Sequence, residues 1–245
     1  MIEQAVEIAT KDGATTTFIV HPEREGPYPV VLFFMDAPAI REELRDMARR
    51  IATAGYYVML PNMYYRKGVM EMADLPPLPQ DEARERMFGF MNSLTIPAVM
   101  DDADALLDFA NRDPAAGPGP IGTLGYCMSG QYAINFAARR PERVGAAASI
   151  YGVRLVTDEA DSPHLAAAKA LGELYFACAE HDPWAPLEMV EALDQSIKSR
   201  NLNAEVEFYP GVHHGFAFPQ RPVYDKPAAE RHWERLFALW RRNLV

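Results

Sequence analysis

Ile121-Gly122-Thr123-Leu124-Gly125-Tyr126-Cys127-Met128-Ser129-Gly130 decides the fold. Its first residues form a buried strand, its glycine-flanked centre is a sharp turn, and a helix follows from Gln131 to Arg139. Such a turn lifts one side chain out at the end of a sheet, beside the free N–H groups of the helix start. That is the layout of a nucleophile elbow, normally Gly-x-Ser-x-Gly. Here the side chain at the tip is the thiol of Cys127.

Working outward, short apolar runs alternate with amphipathic helices. Lys11-Asp12-Gly13 interrupts Val6 to Val20 and makes an N-terminal hairpin. Pro29 to Met35, Tyr56 to Pro61, Val144 to Ile150 and Leu174 to Ala179 are continuous apolar strands, as expected of strands covered on both faces. Ala204 to Tyr209 alternates like an edge strand, and Pro210 to Gly215 is its exit loop. Helices are predicted over Ile40–Ala54, Pro97–Ala110, Leu187–Ser199 and Ala228–Leu244. Asn62 to Thr95 differs, being rich in Met, Pro and charge with a short helix from Asp81 to Met91. An excursion this long is a lid or pocket wall more often than a featureless loop. The expected architecture is one α/β domain over residues 1–245. It is a three-layer α/β/α sandwich with a mostly parallel central sheet and a small lid-like insertion.

Composition narrows the class. The chain has 245 residues, is 49% hydrophobic and 24% charged, and has a formal net charge of −10. With no basic stretch, nucleic acid and anionic membranes are not expected partners. No segment has the length of a membrane span, and the N-terminus lacks a basic and apolar leader pattern. Two cysteines, Cys127 and Cys178, exclude a disulfide framework, so a reducing cytoplasm is the expected location. Six scattered histidines show no metal-ligand spacing, so no metal is expected.

In open parallel sheets, ligands lie beyond the carboxyl ends of the strands. At those ends this sequence has Asp36-Ala37, Cys127, Tyr151, Asp182 and His214. Nucleophile, acid and base come in the chain order of the α/β-hydrolase triad. A free thiol, with a reference pKa of about 8.5, needs a base to be a strong nucleophile at neutral pH. His214 would take the proton, and Asp182 would fix the imidazole tautomer and stabilise imidazolium. The Met128 and Ala37 amides would hold the developing oxyanion.

Phe33-Phe34-Met35-Asp36, Gly55-Tyr56 to Pro61 with Tyr64-Tyr65-Arg66, Gly125-Tyr126-Cys127, Tyr151-Gly152, Asp182-Pro183 and His214-Gly215-Phe216 together resemble the dienelactone hydrolase family over nearly the whole chain. The resemblance implies hydrolysis of a carboxylic ester or lactone by a Cys-His-Asp triad, as in carboxymethylenebutenolidase, with a small-molecule partner and neither metal nor organic cofactor. It also implies that Asp36, where the family typically has glutamate, controls the thiol. Where the family elbow has a glycine, this chain has Ser129. The family binds a substrate carboxylate with arginines. Here Arg84 and Arg86 lie in the insertion helix, and Phe218 stands beyond the histidine with Arg221 further on.

Each assignment has a rival. Cys178 sits inside an apolar strand and is expected to be inert. His213 competes with His214, and Glu180 with Asp182. Tyr64, Tyr126, Tyr151 and Trp184 fall near the predicted pocket, where lining it and packing the core edge are both open. Two other readings remain: the same triad acting on a different ester or thioester, or a ligand-binding or redox-sensing relic of the fold. Both monomer and homodimer are compatible with the sequence.

Overall fold

The computed structural model describes residues 1–244, and contacts divide the chain into two compact units, Met1–Pro118 and Gly119 onward.

In the first unit, β1 (Ile2–Thr10) and β2 (Gly13–His21) form an antiparallel hairpin with Thr10 opposite Gly13. Strand β2 then pairs antiparallel with β4 (Tyr57–Pro61), and β4 pairs parallel with β3 (Val30–Phe34). Every residue of β3 and β4 is buried, which explains their unbroken apolar sequences. Between them runs α1 (Glu42–Thr53), which buries Leu44, Met47, Ala48 and Ile51 at helical spacing. Helix α3 (Ile96–Ala110) starts where the Thr95 side chain accepts the Ala98 N–H at 3.3 Å, with Pro97 in its first turn. The insertion between β4 and α3 holds α2 (Gln80–Asn92), none of whose residues is buried.

In the second unit, β5 (Ile121–Tyr126), β6 (Val144–Ile150), β7 (Glu173–His181) and β8 (Ala204–His213) pair in that order, all parallel. Their crossovers carry α4 (Gly130–Arg139), a one-turn α5 (Pro163–Ala166) and α6 (Leu187–Ser199). Helix α7 (Lys226–Asn243) follows β8 and packs on β6 and β7. Because the four strands are parallel, their carboxyl ends share one edge. Cys127, Tyr151, Asp182 and His214 each come directly after one of them.

One expectation is corrected here, and one element is new. Glu180-His181 and Pro210 to His213 belong to strands, not loops: after a register shift, His181 pairs with His213 and prolongs the ladder. The turn of α5 has no counterpart in the sequence reading, because four residues are too short to show periodicity. Among the described residues, no helix is long and apolar enough to cross a membrane.

Candidate active site

Cys127 has φ +55°, in the left-handed region that non-glycine residues seldom occupy. The chain passes from extended Tyr126 through this residue into a 3₁₀ turn, Cys127–Ser129, and then into α4. Two glycines make the turn fit. A Cβ on Gly125 would stand 2.0 Å from the Ser129 carbonyl oxygen. One on Gly130 would stand 2.2 Å from Ser149 Oγ and 2.8 Å from the Gly152 Cα. Ser129, fully buried, occupies the remaining position with its small side chain. Cys127 is partly exposed, whereas Cys178 is buried, and burial with nearby Asp182 and Asp194 pushes its thiol up to about 12.

Asp182 begins the β7 exit. Its Oδ1 accepts the N–H groups of Trp184 (2.9 Å) and Ala185 (3.1 Å), and Oδ2 meets His214 Nδ1 at 2.6 Å. This carboxylate side chain has no solvent exposure. The two backbone donors aim one oxygen and leave the other for the imidazole. Burial opposes charge on the His214 ring, but hydrogen bonding to Asp182 and Cys127, with their charges, outweighs it and raises the ring to about 9. Nε2 of His214 is buried, and Cys127 is the second neighbour that, with Asp182, favours the protonated ring.

The rivals are occupied elsewhere. Glu180 accepts the Gly211 N–H at 2.6 Å, and His213 lies against His181 with ring centres 5.1 Å apart. The aromatic residues separate into two kinds. Tyr126, Tyr151 and Phe218 are fully buried and pack with one another. The Tyr151 ring also meets the His214 ring edge-on at 4.9 Å. Trp184 is 48% exposed, beside Asp182.

The first unit holds the other candidates. Asp36 is fully buried and forked by Arg41, with Oδ1 2.5 Å and Oδ2 3.2 Å from the guanidinium. Tyr64 is buried and donates to the Ala37 carbonyl at 3.0 Å, which anchors the turn after β3. Arg86 donates to the Pro76 carbonyl at 2.9 Å, within its own insertion, and Arg84 is exposed. Among the described residues, no three His, Cys, Asp or Glu side chains are grouped so as to hold a metal ion.

Sequence reasoning missed three residues around these sites. His232 is fully buried on α7 and bonds the Tyr126 hydroxyl through Nε2 at 2.8 Å. These partners lie 106 residues apart, so no local pattern joins them. Gln131 donates from Nε2 to the Met128 carbonyl at 2.9 Å, and Arg41 carries the Asp36 contact. A glutamine at a helix start after a glycine-rich turn was the only signal for the former.

The dienelactone hydrolase family model matches residues 15–244. The chain belongs to the dienelactone hydrolase family. A candidate carboxymethylenebutenolidase of Synechocystis sp. is 26% identical over 230 residues, covering 93% of this chain and 91% of the relative. Another from Escherichia coli (strain K12) is 29% identical over 225 residues, covering 87% and 77%. A candidate 2-oxo-3-(5-oxofuran-2-ylidene)propanoate lactonase of Bradyrhizobium sp. is 23% identical, covering 98% and 94%. The fold is also that of a candidate dienelactone hydrolase from Klebsiella pneumoniae, with a TM-score of 0.86, 23% identity and 98% coverage of both chains. This dienelactone hydrolase family member therefore has the α/β-hydrolase fold and is a hydrolase of that type.

Proposed function

We propose that the protein hydrolyses carboxylic esters or lactones through a thioester on Cys127, with His214 as base and Asp182 as its orienting acid. The observation that carries this reading is the 2.6 Å contact of His214 Nδ1 with Asp182 Oδ2, in a ring whose proton affinity Cys127 also raises. The left-handed backbone at Cys127 supports it, because a strained elbow exposes a nucleophile at a helix start.

In the proposed reaction, His214 holds the thiol proton as imidazolium while the sulfur attacks the acyl carbon. The Met128 amide stabilises the oxyanion. The carbon–oxygen bond then breaks, and the leaving alkoxide takes the proton back from His214. In a lactone that alkoxide stays tethered to the acyl group. Water, deprotonated by His214, attacks the thioester, releasing the carboxylic acid and restoring the thiol. The relatives named as carboxymethylenebutenolidase and as a lactonase favour a lactone as substrate.

A second reading keeps the triad and takes an uncharged ester with an apolar group. The exposed Trp184, whose N–H bonds Asp182, and the exposed Leu187 at the start of α6 favour it. Comparing turnover of a dienelactone with that of uncharged esters separates the two substrates. For the mechanism, p-nitrophenyl acetate hydrolysis is expected to collapse in Cys127→Ala and to stay near wild type in Cys178→Ala. Full activity in Cys127→Ala would overturn the mechanism.

A further inference from the structure

We propose that Gln131 is a positioning residue that holds the Met128 amide in line for the oxyanion. The proposal rests on the acyl-transfer reading of Cys127. The Met128 N–H shares a planar peptide unit with the Cys127 carbonyl, so whatever orients that carbonyl orients the donor. The Cys127 carbonyl accepts the Val153 N–H at 3.1 Å. On the other side of Met128, its own carbonyl accepts Gln131 Nε2 at 2.9 Å. The two peptide units that flank the Met128 Cα are thus each tied by a hydrogen bond.

The ties matter because of where they sit. Cys127 occupies the left-handed region at φ +55°, a conformation that persists only when its surroundings enforce it. If the Cys127–Met128 peptide rotated, its N–H would turn away from the site and its carbonyl oxygen would face the developing negative charge. Gly125 and Gly130 let the turn close, and the Gly130 N–H adds a second donor to the Cys127 carbonyl, so the peptide after Met128 is the one that depends on Gln131. Gln131 is 7% exposed, and its carbonyl accepts Asn135 Nδ2 at 3.0 Å within α4. A neutral amide suits the role, since it donates to a carbonyl without adding charge beside a sulfur that must attack as an anion.

Two reactions at the same sulfur test this. Acylation by p-nitrophenyl acetate passes through a tetrahedral oxyanion. Alkylation by iodoacetamide displaces iodide directly and forms none. Gln131→Met removes the donor at similar length, and Gln131→Glu replaces it with an acceptor. Both variants are expected to acylate about tenfold more slowly or worse, through kcat, while alkylating within about twofold of wild type. Outright loss of a donor costs ~10²–10³, so a misaligned one should cost part of that. Asn135→Ala, which cuts a bond in the same helix turn, should leave the ratio of the two rates unchanged. If one Gln131 variant fails to fold, the other decides. An unchanged ratio, or alkylation that falls in step with acylation, overturns the inference alone. Ester hydrolysis without acylation of wild-type Cys127 overturns the acyl-transfer reading and this inference with it.

Discussion

His214 carries opposing demands in one ring. Burial favours its neutral form, while Asp182 on one side and Cys127 on the other favour imidazolium, which persists to about 9. A histidine raised from 6.5 in this way stabilises the fold fully below its unfolded value. That contribution disappears as pH rises through about 9. NMR titration of the ring is expected to give a midpoint near 9 in wild type, and lower midpoints in Cys127→Ala and Asp182→Asn. A midpoint unmoved by both substitutions would contradict the assigned partners. The rate of ester hydrolysis should likewise fall above about pH 9, where the leaving alkoxide loses its proton donor. Gly130 gives a second residue-level prediction. Alanine there would press on Ser149 Oγ and on the Gly152 backbone. It should cost at least ~1–3 kcal/mol, the range for overpacking, seen as a lower midpoint in chemical denaturation.

At the scale of elements, the turn after β3 depends on a buried charge. Asp36 has no exposure, and the Arg41 guanidinium donates to both of its oxygens while also bonding Glu43 and the Ala39 carbonyl. Removing one partner of such a pair is costly, so Arg41→Met should lower stability by about 3 kcal/mol. Adding Asp36→Asn should return much of that loss, and thermal melts of the single and double variants check it. Additive losses would show that the pair is not the source. Most strands and helices were legible in the sequence because their apolar residues keep a clear period. The predicted helix over Leu187–Ser199 coincides with α6, and the apolar run Val144–Ile150 with β6. The ends of β7 and β8 were not legible. Glu180, His181 and Pro210 look like loop residues, and only pairing across the two strands keeps them extended. The order of Cys127, Asp182 and His214 was legible because each follows a strand. The support of Tyr126 by His232 was not, since that contact exists only once α7 has packed.

Across the whole molecule, the family match runs from residue 15 to 244, through both compact units. The proposed triad lies within the second, on four parallel strands whose shared edge gathers residues 127, 182 and 214. The central claim is that this edge performs acyl transfer through Cys127 sulfur. Rapid-quench mass spectrometry of the protein mixed with p-nitrophenyl acetate tests it most directly. One acetyl group is predicted on the peptide carrying Cys127, appearing with the first burst of nitrophenol and decaying at the turnover rate. Steady ester hydrolysis with no acetyl on Cys127, or with the acetyl on another residue, would contradict it.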